Sequence, residues 1–250
     1  METTETERRS NATTRAGTGS QLIALVGALR PRQWVKNLFV LAPAIFAGEL
    51  VHRPVMARAA AAFAVFCALS SAVYLVNDVV DREADRQHPS KSSRAVASGR
   101  LSVGGALAAA VVLLVAGFAA AYAVGPSFLA VAAVYVSVTV AYSLYFKHAV
   151  IVDVMLLAAG FVLRVEAGAV AVAVPASEWL LLCTLLLALF LGFSKRRHEL
   201  TLLEGDAANH RRVLVHYSPE LLDQMIVIVA ASVILCYILY TVWPSTVEKF

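Results

Sequence analysis

The chain has 250 residues, of which 60% are hydrophobic and only 15% charged, and its mean hydropathy is +0.73. A water-soluble domain carries about 25% charged residues, so this composition excludes a soluble globular enzyme. The net charge of +4 does not mark a nucleic-acid footprint, because the basic residues sit in short loops between apolar runs.

The first 20 residues, METTETERRSNATTRAGTGS, are polar and of low complexity. They read as a disordered cytoplasmic tail. No short apolar stretch with a small-residue cleavage site follows, so they do not read as a signal peptide. Gln21 to Arg30 is short and amphipathic. It is expected to lie at the membrane interface, with Trp34 as an interfacial anchor.

A membrane helix needs about 20 mostly apolar residues. Seven runs qualify as candidates, at roughly 37–52, 58–80, 103–124, 126–146, 150–173, 177–194 and 223–243. The expected fold class is all-α, a polytopic bundle formed by one membrane domain over 21–250. Abundant glycine and alanine in these runs, as in Gly104-Gly105-Ala106 and Ala158-Ala159-Gly160, permit close helix packing. Cys67, Cys183 and Cys236 each lie in an apolar run without metal spacing, and read as small buried hydrophobes.

Lysine and arginine set the orientation. Arg30, Arg32 and Lys36 precede the first run, and Arg82, Arg86, Lys91, Arg94 and Arg100 follow the second. Lys147 follows the fourth, and Lys195, Arg196, Arg197, Arg211 and Arg212 follow the sixth. Three more, Arg8, Arg9 and Arg15, are in the tail, and only Arg53, Arg58 and Lys249 fall on the opposite side. The positive-inside rule then places the N-terminus and these loops in the cytoplasm. Seven spans would leave the C-terminus outside.

The strongest local signal is Asn77-Asp78-Val79-Val80-Asp81-Arg82-Glu83-Ala84-Asp85, at the end of an apolar run. Spacings of three and four put Asp78, Asp81 and Asp85 on one helical face, with Asn77 at its border. Like charges on one stripe repel, and bare carboxylates at membrane depth are costly. A cation answers both problems. Oxygen-only ligands suit Mg²⁺, which commonly bridges carboxylates to substrate phosphates. Lys91 and Arg94 follow at once in a polar loop. They read either as phosphate ligands or as lipid-headgroup and topology residues.

A second polar group contains Tyr142, Ser143, Tyr145, Lys147 and His148, followed by Asp153. Arg164 lies eleven residues beyond Asp153, about 16 Å along a helix and on the same stripe. An arginine at that depth is a functional candidate by default. A structural ion pair with nearby Glu166 is the alternative.

These motifs resemble the UbiA prenyltransferase superfamily, and most closely its decaprenyl-phosphate phosphoribosyltransferase subgroup. NDVVDREAD is similar to the family's first NDxxDxxxD motif. LRPRQWVKNLFVLAP at 29–43, YLVNDVVDREADRQHPSK at 74–91, LYFKHAVIVDVMLLAAGFVLRVEAG at 144–168 and SKRRHEL at 194–200 look like the subgroup. The likeness covers about 29–243. The family usually has nine spans, where this chain shows seven candidates. Members that prenylate aromatics carry a second acidic pair. Here that region offers only Asp153, with Lys147 and Arg164 in the match, which favours the phosphoribosyl subgroup. Two further departures are Ala95, where the family often has proline, and Glu166, at a usually apolar position.

The resemblance implies a helical bundle around a central cavity open to the cytoplasm, with Mg²⁺ and a diphosphate-bearing donor. In the subgroup the donor is phosphoribosyl pyrophosphate and the acceptor a polyprenyl phosphate, in the synthesis of a cell-wall arabinan precursor. Carried onto this chain, Asp78, Asp81 and Asp85 with Asn77 would hold Mg²⁺ against the diphosphate. Lys36, Lys91 and Arg94 would contact donor phosphates. Lys147, Asp153 and Arg164 would line the opposite wall with Tyr142 nearby, and Asp153 would meet ribose hydroxyls or metal. The expected setting is the plasma membrane, with the active site on the cytoplasmic side. Two other functions compete: prenyl transfer to a small aromatic acceptor, and non-enzymatic transport.

Overall fold

The structure, a computed structural model, describes residues 18–202 and 217–243. Most of the expected tail 1–20 therefore lies outside the described residues, as do Arg211, Arg212 and Lys249. All the regular elements among the described residues are helical.

In chain order these are α1 (Thr18–Ala28), a 3₁₀ helix (Pro31–Leu41), α2 (Ala42–Phe46), a 3₁₀ turn (Glu49–Val51), α3 (Arg53–Val80) and α4 (Arg82–Gln87). Then follow α5 (Val103–Val124), α6 (Pro126–Leu144), a 3₁₀ turn (Phe146–His148), α7 (Val152–Val172), α8 (Glu178–Leu202) and α9 (Pro219–Val242). Among the described residues, six helices (α3, α5, α6, α7, α8 and α9) are long and apolar enough to cross a membrane. They correspond to six of the seven expected runs.

The run 37–52 does not form a spanning helix. Residues Pro31–Leu41 wind as a 3₁₀ helix, at 3.0 residues per turn. Its inward residues keep that period: Asn37 and Val40 are buried, and Pro43 follows three residues later, also buried. Proline lacks the amide an α-helix interior needs, and Pro43 sits instead in the first turn of the short α2. Gly48, at φ 72°, then takes the left-handed conformation that opens the next 3₁₀ turn. Without this run, the seven-span count that put the C-terminus outside is one span short among the described residues.

The residues group into two compact units. One is Ser71–Leu114 with the described part of Met1–Gln33. Its core joins Ala24 and Ala28 of α1, Ala72 and Leu75 of α3, Ala95 and Val96 of the following loop, and Ala106 and Ala110 of α5. The small residues of α1 face inward, while Leu22, Ile23 and Val26 face outward. Lipid tolerates such an outward apolar face and water does not.

The other unit comprises Trp34–Ser70 and the described part of Val115–Phe250. In it α6 packs on α7, α7 on α8, and α8 on α9. The α7–α8 approach is tight: a Cβ on Gly192 would lie 2.5 Å from Val154 Cγ1. Phe66, Phe128 and Tyr135 form an aromatic cluster between α3 and α6. Outward positions of α9, such as Val227, Ile228, Ile234 and Leu235, are large and apolar, as lipid contact requires.

Candidate active site

The acidic motif straddles the junction of α3 and α4. Asp81 occupies the junction at φ −87°, ψ 5°, yet the helical hydrogen-bond ladder runs through it. The Asp81 amide donates to Asn77 O at 2.9 Å, and the Asp85 amide donates to Asp81 O at 2.8 Å. Asp78 and Asp85, two turns apart, therefore stay on one side, as the spacing predicts. Both are almost fully buried, at 2% and 3% exposure. Asp81 and Asn77 are half-buried.

Two arginines answer the buried charge. Arg94 Nη1 donates to Asp85 Oδ2 at 2.7 Å and to Asp78 Oδ1 at 3.4 Å. Arg30 Nη2 donates to the same Asp78 oxygen, and its guanidinium lies over the Tyr74 ring, 4.9 Å from the centroid. Local sequence explains how Arg94 arrives. The next three residues, Ala95, Val96 and Ala97, are small, apolar and buried, and they pin the loop. Arg86 Nε donates to Ala97 O at 3.0 Å, and the Leu101 amide donates to Ala95 O at 2.9 Å. Lys91 lies three residues earlier in the same series of turns, half-buried.

Among the described residues, no three Asp, Glu, His or Cys side chains are gathered closely enough to hold a metal ion. The donor set nonetheless fits one: Asp78 and Asp85 present only oxygens, and both already converge on a single cationic nitrogen of Arg94. A hard divalent cation favours such oxygens.

The second constellation is built differently from the sequence expectation. Asp153, in the first turn of α7, is 0% exposed and Arg196 of α8 only 1%. Arg196 Nε donates to Asp153 Oδ2 at 2.8 Å, and its Nη1 donates to Glu199 Oε2 at 2.8 Å. Tyr217, just before α9, donates its hydroxyl to Asp153 Oδ1 at 2.7 Å. Both carboxylate oxygens of Asp153 are thus held by the protein. Asp153 is a buried hub that links α7, α8 and the start of α9.

The same Tyr217 hydroxyl accepts the Ile151 amide at 2.6 Å. Burial, and then the hydrogen bond to Asp153, raise the Tyr217 phenol above its ordinary range. Ile151 stands at φ 66°, ψ −47°. The Val152 amide donates to Val150 O at 2.7 Å across it. This is a γ-turn of the strained, positive-φ kind. For a β-branched residue such a conformation costs about 1–3 kcal/mol and persists only when its surroundings enforce it. Lys147 lies on the 3₁₀ turn just before, and Tyr142 in the last turn of α6, both half-buried.

Arg164 is 6% exposed. It donates Nε to Asn37 Oδ1, Nη1 to Gly160 O and Nη2 to Tyr135 Oη, each at 2.8 Å. Its guanidinium faces the rings of Tyr135 and Phe161 at 4.8 and 5.3 Å. Neither Asp153 nor Glu166 is among these partners, so the alternative reading of Arg164, an ion pair with Glu166, is not formed. Arg164 is an anchor for the 3₁₀ segment through Asn37, which itself donates to Ser70 Oγ at 3.2 Å. Lys36, next to Asn37, is half-buried.

Four contributors carry no distinguishing signal in the sequence. Arg30 and Arg196 were legible only as topology charges. Asn37 had no distinguishing context. Tyr217 lay before a helix start, where Ser218 caps α9 by accepting the Leu221 amide at 3.1 Å, and nothing local linked it to Asp153.

The sequence model of the UbiA prenyltransferase family matches residues 37–248. The chain belongs to that family. It is a membrane-embedded transferase. It is 39% identical over 226 residues to the decaprenyl-phosphate phosphoribosyltransferase of Corynebacterium glutamicum, covering 86% of this chain and 66% of that one. It is 40% identical over 217 residues to the protein of the same name from Mycobacterium tuberculosis, covering 85% of this chain and 72% of that one. The chain thus spans about two thirds of the length of the former relative. A UbiA homologue from Archaeoglobus fulgidus, solved with GPP and Mg²⁺, superposes with a TM-score of 0.68. That match covers 86% of this chain and 76% of the other at 18% identity, a likeness of fold.

Proposed function

We propose that this member of the UbiA family moves a phosphoribosyl group from phosphoribosyl pyrophosphate to a polyprenyl phosphate, with Mg²⁺ bound at the acidic motif. The observation that carries the reading is the pair of buried carboxylates, Asp78 and Asp85, converging with arginines at the end of a membrane helix. The names of the relatives support the choice of donor and acceptor.

Asp78, Asp81 and Asp85, with Asn77, would hold the metal. When bound, Mg²⁺ offsets the charge that grows on the leaving pyrophosphate. Arg94 touches both buried carboxylates and would contact a donor phosphate bound beside them. Lys36, Lys91 and Lys147 supply further positive charge for phosphate oxygens. As the bond from the anomeric carbon to pyrophosphate breaks, an acceptor phosphate oxygen attacks that carbon. The products are a polyprenyl phosphoryl-phosphoribose, which keeps both the acceptor's phosphate and the donor's 5-phosphate, and pyrophosphate. The acceptor is already anionic, so the reaction needs no strong general base. Its tail stays among apolar helices. In this reading the site faces the cytoplasm at the plasma membrane, and the product feeds arabinan precursor synthesis for the cell wall.

The test is transfer of label from phosphoribosyl pyrophosphate to polyprenyl phosphate by purified protein, with and without Mg²⁺. Label moving only from a prenyl diphosphate to an aromatic acceptor would overturn the donor assignment. Flux across proteoliposomes with no covalent product would overturn the transferase chemistry altogether.

A further inference from the structure

We infer that Tyr217, Asp153 and Arg196 form a positioning device that fixes the Ile151 turn and, through it, the phosphate-binding placement of Lys147. The inference rests on the reading of Lys147 as a phosphate ligand and adds to it the residues that hold Lys147 in place.

Ile151 is a β-branched residue at φ 66°, ψ −47°, a positive-φ γ-turn conformation that disfavours side chains branched at Cβ. Nothing in its own sequence favours it: no glycine or asparagine stands at the turn. Strained turns persist when surrounding contacts over-determine them, and they concentrate at functional sites. Here the enforcing contact is specific. Ile151 N–H points at the Tyr217 hydroxyl, 2.6 Å away. That hydroxyl spends its own proton on Asp153 at 2.7 Å, so its lone pairs face the amide. Asp153 in turn is fixed by Arg196 at 2.8 Å, and Arg196 by Glu199 at 2.8 Å.

The chain of contacts therefore runs from α8 and the start of α9 to the entrance of α7. Asp153, Arg196 and Tyr217 are all nearly or fully buried, so water does not compete for these bonds. The restrained turn is only four residues from Lys147. The intervening chain is itself closed: the Ala149 amide donates to Phe146 O at 3.1 Å, and the Asp153 amide to Ala149 O at 3.0 Å. Loss of the hold at Ile151 thus has a short, continuous route to Lys147.

Three full-length proteins in detergent decide the matter: Tyr217→Phe, Lys147→Ala and the double variant. Tyr217→Phe keeps the ring and removes only the hydroxyl. Two quantities are read on each. One is amide hydrogen exchange of the 145–153 segment. The other is the Kd of pyrophosphate with Mg²⁺. Tyr217→Phe is expected to speed exchange at 150–152 and to raise the Kd about threefold to tenfold, the size of one lost hydrogen bond. In the Lys147→Ala background the same substitution is expected to leave the Kd unchanged, because the two residues act as one unit. Full additivity of the two losses would overturn the coupling. Unchanged exchange in Tyr217→Phe would overturn the device itself, whatever the substrate. Unchanged Kd in Lys147→Ala alone would instead sink the phosphate role of Lys147, while the exchange result still decides whether the turn is held. Arg196→Lys keeps the charge but not the guanidinium geometry, and is expected to show a weaker form of the Tyr217→Phe effects. A global collapse of protection in that variant, with the 145–153 segment no faster than the rest, would mark the triad as general core packing and overturn the positioning role.

Discussion

Arg94 reaches Asp85 at 2.7 Å from a loop nine residues downstream, and the same nitrogen faces Asp78 at 3.4 Å. The arginine offsets part of the charge of two carboxylates that would otherwise repel one another inside the protein, and Arg30 offsets the rest at Asp78. Arg94→Gln removes that charge and leaves both acids short of a partner. Because the Arg94 side chain is 30% exposed, solvent screening lowers the cost, to about 1–3 kcal/mol. The variant is expected to melt lower than the parent without metal, and to gain more thermal stability from added Mg²⁺. Melting curves with and without Mg²⁺ check both halves. An equal Mg²⁺ gain in the two proteins would show that arginine and metal do not share the carboxylates.

Asp78→Asn and Asp81→Asn test the metal itself. Each keeps the shape of the side chain and removes one negative charge. Transfer in the labelled-donor assay is expected to fall by about 100-fold or more, because the stabilised charge lies on the leaving group. Asp81 stands at the break between α3 and α4 and is half-buried, so its variant should keep the parent's helical signal in circular dichroism. Full activity in both variants would refute the metal role.

Much of this was legible in the sequence, and the losses have physical causes. Helices α3 and α5 to α9 follow from apolar length alone. The Asp78 and Asp85 face follows from helical spacing, since a stripe at seven residues survives the break at Asp81. The 37–52 run was misread because hydropathy does not register Pro43, or the three-residue period of Asn37, Val40 and Pro43. The Asp153 hub has no local sequence signal, because its partners lie 43 and 64 residues away. Arg196 sits in a Lys-Arg-Arg run that is explained equally well by membrane orientation. Only tertiary structure separates the buried arginine of that run from its neighbours.

Alkaline pH offers a test of the Tyr217 environment. Its phenol is raised above the ordinary value by burial and by the bond to Asp153. A group with a raised folded-state value contributes stability fully below the unfolded value, near pH 10. That contribution disappears as pH rises from there through the folded value. The melting temperature should therefore fall more steeply above about pH 10 in the parent than in Tyr217→Phe. Between pH 6 and 9, where the phenol stays protonated in both folded and unfolded chains, the difference between the two proteins should be constant.

Arg164 is expected to matter for stability through its geometry as much as its charge. Its three nitrogens reach Asn37, Gly160 O and Tyr135 together, and a lysine cannot span that set. Arg164→Lys should leave the Asn37 and Tyr135 acceptors partly unsatisfied, at a cost of about 2–4 kcal/mol. Asn37→Ala should cost a similar amount and add little in the double variant, since one contact is being removed twice. Thermal melts of the four proteins measure this coupling, and strict additivity would place the 3₁₀ segment under other control.

Gly168 tests the same segment from the opposite side. A Cβ built there would lie 1.9 Å from Val40 O and 3.2 Å from Pro43 Cδ. The obstacle is backbone, which cannot rotate away, so Gly168→Ala must push Pro31–Leu41 off α7. Overpacking of that kind costs about 1–3 kcal/mol or more. Gly192→Ala meets Val154 Cγ1 at 2.5 Å. That is also too close, but a side chain can yield further than a carbonyl, so its loss should be smaller. Gly104→Ala meets nothing within 4 Å and should be neutral or stabilising by about 0.5–1 kcal/mol, from reduced freedom of the unfolded chain. At about 2–4 °C per kcal/mol for a chain of this size, melting temperatures should rank Gly104→Ala above Gly192→Ala above Gly168→Ala. If the close approach of Val40 also sets Lys36 for phosphate, Gly168→Ala should weaken pyrophosphate binding as well, and Gly192→Ala should leave it unchanged.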